Sequence, residues 1–394
     1  MRRNNGAGSG ESVALLKKLV KIPSVNPSEG GSGEAEIAEF VRGELESYGL
    51  HSSLQTAREG RVNVIGRLKG TGNGPTLMLN GHLDTVGVSG MTVDPFGAHT
   101  DGRGRLHGRG ACDTKGSIAS MMSAIKAVAD SSIRLKGDVI FTGVVDEEYL
   151  SIGTESIIKE YRSDAAIVGE PTNLDVAIAH RGYAWVEVEV MGRASHGSMP
   201  EKGVDAIAEM AKFVSMLSAL QERYRGSKKK HPLLGNPTIH TSMVEGGSAW
   251  SIVPESCTLK LERRTLPGEA SNISVTEARE LVEELSADDP DFHATVSGFF
   301  ERPAMEVPRT ERVVRAVSSA HQSATKRRAR LVGLPYWTDA ALLVREAGIP
   351  TCVFGPGEIA LAHSADEYVP VAGVVTGAEV FAGAIRMFCG SRSS

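Results

Sequence analysis

Four short apolar segments of this sequence each run directly into a polar or glycine-containing turn. The segments are 77–79, 139–145, 165–168 and 350–354, and the turns that follow them contain His82 and Asp84, Glu147 and Glu148, Glu170, and Gly355. Uninterrupted apolar runs of this length predict strands that are buried on both faces, as in a parallel α/β sheet. Because such sheets bind ligands beyond the carboxyl ends of their strands, these turns predict a common site.

The turn residues have the chemistry of a metal site. His82 and Asp84 are two positions apart, so their side chains project to one face of an extended chain. A further carboxylate, Asp113, lies in the glycine-rich segment 108–116 before a helical pattern. Taken alone, a His-x-Asp pair or the Glu147-Glu148 pair is more often an ordinary polar turn. Their combination favours metal binding.

These residues match the motifs of a known family. It resembles the M20 family of zinc metallopeptidases, in particular the branch of acetylornithine deacetylase and succinyl-diaminopimelate desuccinylase. The likeness extends from about Ser12 to Phe388. The motifs that carry it, in the order of the family, are His82-Leu83-Asp84, the segment 108–116, Glu147-Glu148, Gly169-Glu170-Pro171-Thr172, Ala194-Ser195-His196-Gly197 and His363.

The resemblance implies two divalent cations bridged by Asp113. The residues that would complete the two sites are His82 with Glu170, and Glu148 with His363. Histidine nitrogen and carboxylate oxygen suit Zn²⁺, and Co²⁺ or Mn²⁺ would also fit. Asp84 is better placed as a partner that orients His82 than as a ligand. A thiolate ligand at Cys112 remains an alternative, and the family also implies a cis peptide bond between Asp113 and Thr114.

The resemblance also implies catalytic roles for two further residues. Glu147 would be the general base, because consecutive side chains at a strand end point to opposite sides and Glu148 is taken as a ligand. His196 would cross a dimer interface and stabilise the oxyanion in the partner's active site. This makes a homodimer, formed through the lid domain, a functional expectation. On its own, a loop histidine such as His196 is more often a surface residue.

Residues for substrate binding are implied less directly. Arg264 matches a family arginine that grips a substrate carboxylate, a task suited to a planar guanidinium, although a salt bridge at a strand end would explain it equally well. Gly355 resembles backbone that lines the acid end of the substrate. The chain departs from many relatives at Ser251, where they have an asparagine. The substrate of those relatives therefore cannot simply be transferred.

The pattern of elements predicts an α/β protein in three segments. Residues 1–180 and 301–394 would form one catalytic domain with a mostly parallel sheet and helices on both faces. Residues 181–300 would form an inserted α+β domain of order β-α-β-β-α-β, because the strand 182–190 alternates apolar and polar residues as a one-sided antiparallel strand does. This lid would also carry the dimer interface.

Composition limits the remaining function classes. The net charge of −5 gives no basic excess for nucleic acid. No apolar run was found that approaches the roughly 20 residues of a membrane span, and no signal-peptide core follows the first residues. The four cysteines lack CxxC spacing, which suits thiols in a reducing compartment. We therefore expect a cytoplasmic protein that binds neither nucleic acid nor membrane.

The sequence thus predicts a metal-dependent amidohydrolase. Its substrate would be a small N-acyl amino acid, or a short peptide with a free carboxylate. A carboxypeptidase or dipeptidase of the same family is the alternative among enzymes. A non-catalytic protein that binds metal or amino acids is the alternative of another class. Glu147 speaks against it, because a protein that only binds its ligand needs no general base.

Overall fold

The computed structural model describes residues 7–390 and divides into two compact units. The first unit comprises residues 7–178, 307–332 and 338–390 of the described chain, and the second comprises 179–306 with 333–337. The predicted lid of 181–300 lies inside the second unit, to which the structure adds the short segment 333–337. Residues 1–6 and 391–394 of the predicted catalytic domain lie outside the described residues.

The helices and strands follow in chain order. The α-helices are α1 (Ala7–Lys21), α2 (Ala35–Ser47), α3 (Gly116–Ala129), α4 (Ile152–Glu160), α5 (Ala206–Gly226), α6 (Ile273–Asp288), α7 (Arg312–Thr325), α8 (Ala340–Arg345) and α9 (Val371–Cys389). The strands are β1 (His51–Arg58), β2 (Arg61–Leu68), β3 (Leu77–His82), β4 (Arg105–His107), β5 (Val139–Val144), β6 (Ala165–Val168), β7 (Val176–His180), β8 (Gly182–Met191), β9 (Ser195–His196), β10 (Thr238–Gly246), β11 (Ile252–Val253), β12 (Ser256–Thr265), β13 (His293–Arg302), β14 (Met305–Glu306), β15 (Leu331–Leu334), β16 (Thr351–Val353) and β17 (Tyr368–Pro370).

A mixed sheet organises the first unit. Its order is β1-β2-β5-β3-β6-β16-β7, with parallel pairing between β5 and β3, β3 and β6, and β6 and β16. Every position of β3, β5 and β6 is buried, so both faces of these strands are covered. The predicted α/β fold is confirmed, and its four central parallel strands are the four apolar segments of the sequence.

The register of the parallel strands determines where the polar turns meet. Asn80 of β3 pairs with Val168 of β6. Two residues further along come His82, the last residue of β3, and Glu170, just beyond the end of β6. Because side chains two apart share a face and the strands run in the same direction, both residues arrive at the same edge of the sheet.

The second unit has its own core. Its four-stranded antiparallel sheet has the order β10-β12-β8-β13, and residues of α5 and α6 pack with one face of it. Alternate residues of β8, such as Val186, Val188 and Val190, are buried in this core, as the period of two predicts. The structure adds a two-stranded ribbon of β9 and β11, which the sequence analysis did not predict.

The last helix has the length and composition of a membrane span. Within the described chain, α9 is the one helix that passes this test, with a mean hydropathy of 1.5. It was not predicted from the sequence, because small residues separate its large apolar ones. It packs against α3, α7 and α1, and residues such as Phe381 and Ile385 are fully buried. These contacts are those of a core helix of the first unit.

A buried arginine stabilises the second unit. The side chain of Arg263 is 1% exposed. Its guanidinium donates to both carboxylate oxygens of Glu269 at 2.8 Å and to Glu277 at 2.6 Å. Charge-assisted bonds of this bidentate kind compensate the desolvation of a buried cation.

Replacing Arg263 should destabilise the second unit strongly. Arg263→Met leaves Glu269 and Glu277 without their cationic partner, so we expect a loss of about 3 kcal/mol in the free energy of unfolding, measured by urea denaturation. Arg225→Met is the control, because Arg225 forms an ion pair with Glu222 in which both side chains are 66% exposed. Exposed pairs contribute little, so its unfolding midpoint should stay unchanged. Similar effects of the two substitutions would contradict this account.

Candidate metal centre

The turn before α3 presents Asp113 to the ends of the parallel strands. Residues 111–115 form a single irregular helical turn that leads into α3, and the peptide bond between Asp113 and Thr114 is cis, as the family resemblance implied. Gly110 at the start of the turn has φ 77°, and a Cβ atom there would lie 2.7 Å from the Thr85 methyl group. Only glycine fits both the dihedral angle and the close approach.

The structure brings the five predicted ligands together in two groups that share Asp113. Within each group the ligand atoms all lie within 4.8 Å of one another, and the groups are His82 with Asp113 and Glu170, and Asp113 with Glu148 and His363. Asp113 Oδ1 is 3.0 Å from His82 Nε2, whereas Asp113 Oδ2 is 3.4 Å from His363 Nε2. The two oxygens of one carboxylate therefore face the two histidines. Neither group includes Cys112, whose buried thiol lies 3.4 Å from the carbonyl oxygen of Glu358.

The remaining distances are also short. His82 Nε2 is 3.7 Å from Glu170 Oε1, and His363 Nε2 is 3.2 Å from Glu148. The first group is almost fully buried, whereas the side chain of His363 is 50% exposed. A ligand could thus approach the centre from the side of His363.

Asp84 contacts His82 through its backbone and its side chain. His82 Nδ1 lies 3.0 Å from the backbone oxygen of Asp84 and 3.6 Å from its carboxylate, contacts that agree with the predicted role of Asp84 in orienting the histidine. The Asp84 carboxylate also accepts hydrogen bonds from the backbone N–H groups of Glu147 and Glu148, both at 3.1 Å. Asp84 therefore orients the turn that carries the predicted base and a predicted ligand.

Burial and like charges raise the pKa values of Glu147 and Glu170 in the centre. Burial raises the pKa of Glu147 well above its usual range, and the negative charges of Glu170 and Asp339 add to the shift. Burial likewise raises the pKa of Glu170. Carboxylates crowded in this way cannot all ionise without a compensating positive charge.

The histidines supply part of that charge. Hydrogen bonds with Asp113 and Glu148 raise the pKa of His363 to about 10. Although burial alone would raise the pKa of Asp113, His363 and His82 hold it below its usual range. Asp113 is thus an anion between two imidazoles.

The centre fits divalent cations on the chemistry of its donors. Glu170 Oε1 is buried and has no hydrogen-bond partner in the described chain, although it lies within reach of His82. An unsatisfied buried carboxylate oxygen is costly unless an ion occupies its lone pairs. Two positive ions among these carboxylates would lower their pKa values and relieve the repulsion. The residues present therefore fit a pair of cations.

Three residues that surround the centre were not predicted from the sequence. Asn26 donates from Nδ2 to Asp84 at 2.8 Å and to Asp146 at 3.1 Å. Asp339 is buried, accepts a hydrogen bond from Thr154 at 2.6 Å, and has a pKa raised to about 6 by burial. Glu367 is buried beside Asp113.

The other predicted site residues lie elsewhere. His196 lies in β9 of the second unit, is exposed, and accepts hydrogen bonds at Nδ1 from Ser198. Arg264 also belongs to the second unit, where Nε donates to Glu262 at 2.7 Å. This is the local salt bridge considered as its alternative. The roles of both residues toward a substrate stay predictions.

Gly355 belongs to the first unit, but its backbone is engaged within the protein. Its N–H donates to Thr172 Oγ1 at 3.1 Å, and its carbonyl accepts from the N–H of Leu174 at 3.0 Å. A Cβ atom at this position would lie 2.6 Å from the carbonyl oxygen of Glu170. The structure therefore gives Gly355 a packing role beside Glu170, and its contact with a substrate stays a prediction.

Comparison with known proteins identifies similar chains of nearly equal length. The peptidase family M20/M25/M40 matches residues 78–387. Acetylornithine deacetylase of Myxococcus xanthus is 30% identical, over 90% of this chain and 93% of the relative. N-formyl-4-amino-5-aminomethyl-2-methylpyrimidine deformylase of Bacillus subtilis is 28% identical over 96% of this chain and 95% of its own.

Solved structures show the same fold at lower identity. Aminopeptidase PepT of Bacillus cereus has a TM-score of 0.79 at 22% identity, covering 96% of this chain and 98% of its own. A Bacillus subtilis protein described as a dinuclear metal binding peptidase from the M20 family has a TM-score of 0.75 at 17% identity, covering 98% and 99%. These likenesses extend over both units.

Because Asp113 belongs to both groups, single substitutions should differ in the number of cations that they remove. We expect the wild-type chain to bind two divalent cations, His82→Ala and His363→Ala to bind one each, and Asp113→Ala to bind none, because its two oxygens serve both groups. Metal content after desalting, read by mass spectrometry, measures this, with circular dichroism as a check of folding. His51→Ala, which removes an exposed histidine of β1, is the control and should retain both. One cation retained by Asp113→Ala would contradict the sharing.

Proposed function

The chain belongs to the peptidase family M20/M25/M40 and is a metal-dependent hydrolase of amide bonds, and within this class we propose that it removes the acyl group of a small N-acyl amino acid. The main support for this proposal is that the two oxygens of Asp113 face two different pairs of histidine and carboxylate, an arrangement suited to two cations. A pure binding site for one cation would have no need of such sharing. The curated relatives named above, a deacetylase and a deformylase, support the acyl substrate.

We propose Zn²⁺ as the metal, with Co²⁺ or Mn²⁺ as substitutes. Two histidines and three carboxylates are donors that all three ions accept. Two such ions, when bound, polarise a substrate carbonyl and make water more acidic. The residues that would hold them are His82, Asp113, Glu148, Glu170 and His363.

Glu147 would carry out the proton transfers of amide hydrolysis. Its backbone N–H is held by Asp84, so its position relative to the ligand Glu148 is fixed. Glu147 would take a proton from the water that attacks the amide carbonyl. It would then deliver that proton to the leaving amine nitrogen, as a general base that becomes a general acid.

A second copy of the chain would complete the site through His196. Because Nδ1 of His196 accepts hydrogen bonds from Ser198, the ring proton is placed on Nε2, where it can be donated to an oxyanion. Ile252, which pairs with His196 in the ribbon of β9 and β11, and Trp250, two positions earlier in the chain, are large exposed apolar residues. Exposed apolar groups of this size favour a protein interface, which supports a homodimer formed through the second unit.

We also place the protein in the cytoplasm. All four cysteines are free thiols and buried. A chain of this size with several unpaired cysteines suits a reducing compartment.

A substrate panel tests the reaction and its class. We expect release of free amine from an N-acetyl, N-formyl or N-succinyl amino acid by the Zn²⁺-loaded protein. Hydrolysis of dipeptides alone would instead support the dipeptidase or carboxypeptidase alternative. No turnover on any amide with both metals bound would support the non-catalytic alternative.

Glu147→Gln should separate catalysis from metal binding. The amide cannot accept the proton from water, so we expect kcat to fall by at least about 100-fold while two cations remain bound. Glu160→Gln, on the exposed face of α4, is the matched control and should keep wild-type kcat. A kcat within tenfold of wild type for Glu147→Gln would remove Glu147 from the role of base.

Mixed dimers test the contribution of the partner. His196→Ala and Glu147→Gln chains should each be inactive, but a mixture allowed to exchange subunits should recover up to about a quarter of wild-type turnover, since some dimers then contain one intact site. Light scattering reports the dimer. If the mixture stays inactive while heterodimers form, the site is not shared.

A further inference from the structure

Glu367 is a fully buried carboxylate that holds the turn carrying Asp113. Its Oε1 accepts hydrogen bonds from the backbone N–H groups of Cys112 at 2.9 Å and Asp113 at 3.1 Å. Its Oε2 accepts from the N–H of Gly110 at 3.1 Å and from Arg109 Nη1 at 2.7 Å. Both oxygens are therefore fully used, and three of the four donors belong to the backbone of one turn.

Charge alone does not explain why Glu367 lies here. A carboxylate beside Asp113 repels it, and both are buried. The repulsion is offset by the Arg109 guanidinium, which also donates from Nε to the carbonyl of Gly87 at 3.0 Å. Bonds from backbone N–H groups to an ionised carboxylate are strong and directional. The hydrogen bonds of Glu367 to the backbone of residues 110–113 therefore explain its position, because they hold this turn in place.

Glu367 also joins the two segments that carry Asp113 and His363. It lies four residues after His363 and directly before β17. Its own carbonyl accepts from the N–H of Gly108 at 3.1 Å, and the neighbouring Tyr368 pairs with His107 of β4. Glu367 and Tyr368 therefore connect the segment of Asp113 to the segment of His363, and in this arrangement Asp113 Oδ2 and His363 Nε2 lie 3.4 Å apart.

We propose that Glu367 is a positioning residue of the metal centre. It fixes the backbone of Asp113 relative to His363, and so sets the affinity of the chain for divalent cations without touching them. This inference rests on the proposed function, because it assumes that Asp113 is a shared ligand. Partners of metal ligands that act in this way typically change affinity by about 10- to 100-fold.

The substitution Glu367→Gln tests the proposal. Glutamine has the same shape, but its NH₂ group would face N–H donors whichever way the amide is turned, so two of the four hydrogen bonds are lost. We expect the affinity for Zn²⁺, measured by competition with a chromogenic chelator, to fall by about 10- to 100-fold. The visible spectrum of the Co²⁺-loaded protein should also change, because it reports ligand geometry.

Two controls separate positioning from charge and from general destabilisation. Asp366→Asn removes one negative charge at the exposed neighbouring position. Asp138→Asn removes a carboxylate that binds the same types of partner, the backbone N–H of Gly70 and the guanidinium of Arg67, and it lies before β5, at the opposite end of that strand from Glu147 and Glu148. Both should keep Zn²⁺ affinity within about twofold of wild type and leave the Co²⁺ spectrum unchanged.

The outcomes distinguish this inference from the proposed function. Wild-type affinity and spectrum for Glu367→Gln would overturn the inference while the centre itself stands. A wild-type chain that binds no cation would overturn both. If Glu367→Gln does not fold, Arg109→Lys is measured instead, because lysine cannot reach Glu367 and Gly87 together. A fall in affinity of tenfold or more then supports the inference, and wild-type affinity overturns it.

Discussion

Five carboxylates repel one another in one buried region of this protein. Asp84, Asp113, Glu147, Glu148 and Glu170 converge where the parallel strands end. In a medium less polar than water, such groups protonate or require positive charge. The upward pKa shifts of Glu147 and Glu170 and the downward shift of Asp113 show both responses. Cations bound among these carboxylates would reduce the repulsion and stabilise their ionised forms.

The fold meets the constraint by fixing the backbone of the charged turns from outside. Asp84 accepts from the N–H groups of Glu147 and Glu148, and Glu367 accepts from that of Asp113. Each of these supporting carboxylates is itself held by a donor, Asn26 in one case and Arg109 in the other. The charged side chains are thus left to face each other, while their main chains cannot move apart.

Much of the fold and of the centre could be predicted because it follows from local patterns. Apolar runs of three to seven residues predicted the central strands, and the direction of parallel strands implied that His82 and Glu170 would meet. Asn26, Asp339 and Glu367 could not be found in this way. Their partners lie 58, 185 and 254 residues away in sequence. A polar residue that is buried by a distant segment has no periodic signature of its own.

The adjacent arginines of β12 show where a local pattern was available and not used. Cys257, Leu259 and Leu261 face the helices, so the period of two places Arg263 on that same buried face and Arg264 on the opposite one. Opposite Arg264 on β8 is Tyr183, whose ring centroid lies 5.3 Å from its guanidinium. Only one of the five N–H donors of Arg264 is needed for Glu262. Alternation along the strand therefore assigns Arg263 to the stability of the second unit and places Arg264 on the opposite face, where binding of a substrate carboxylate stays a prediction.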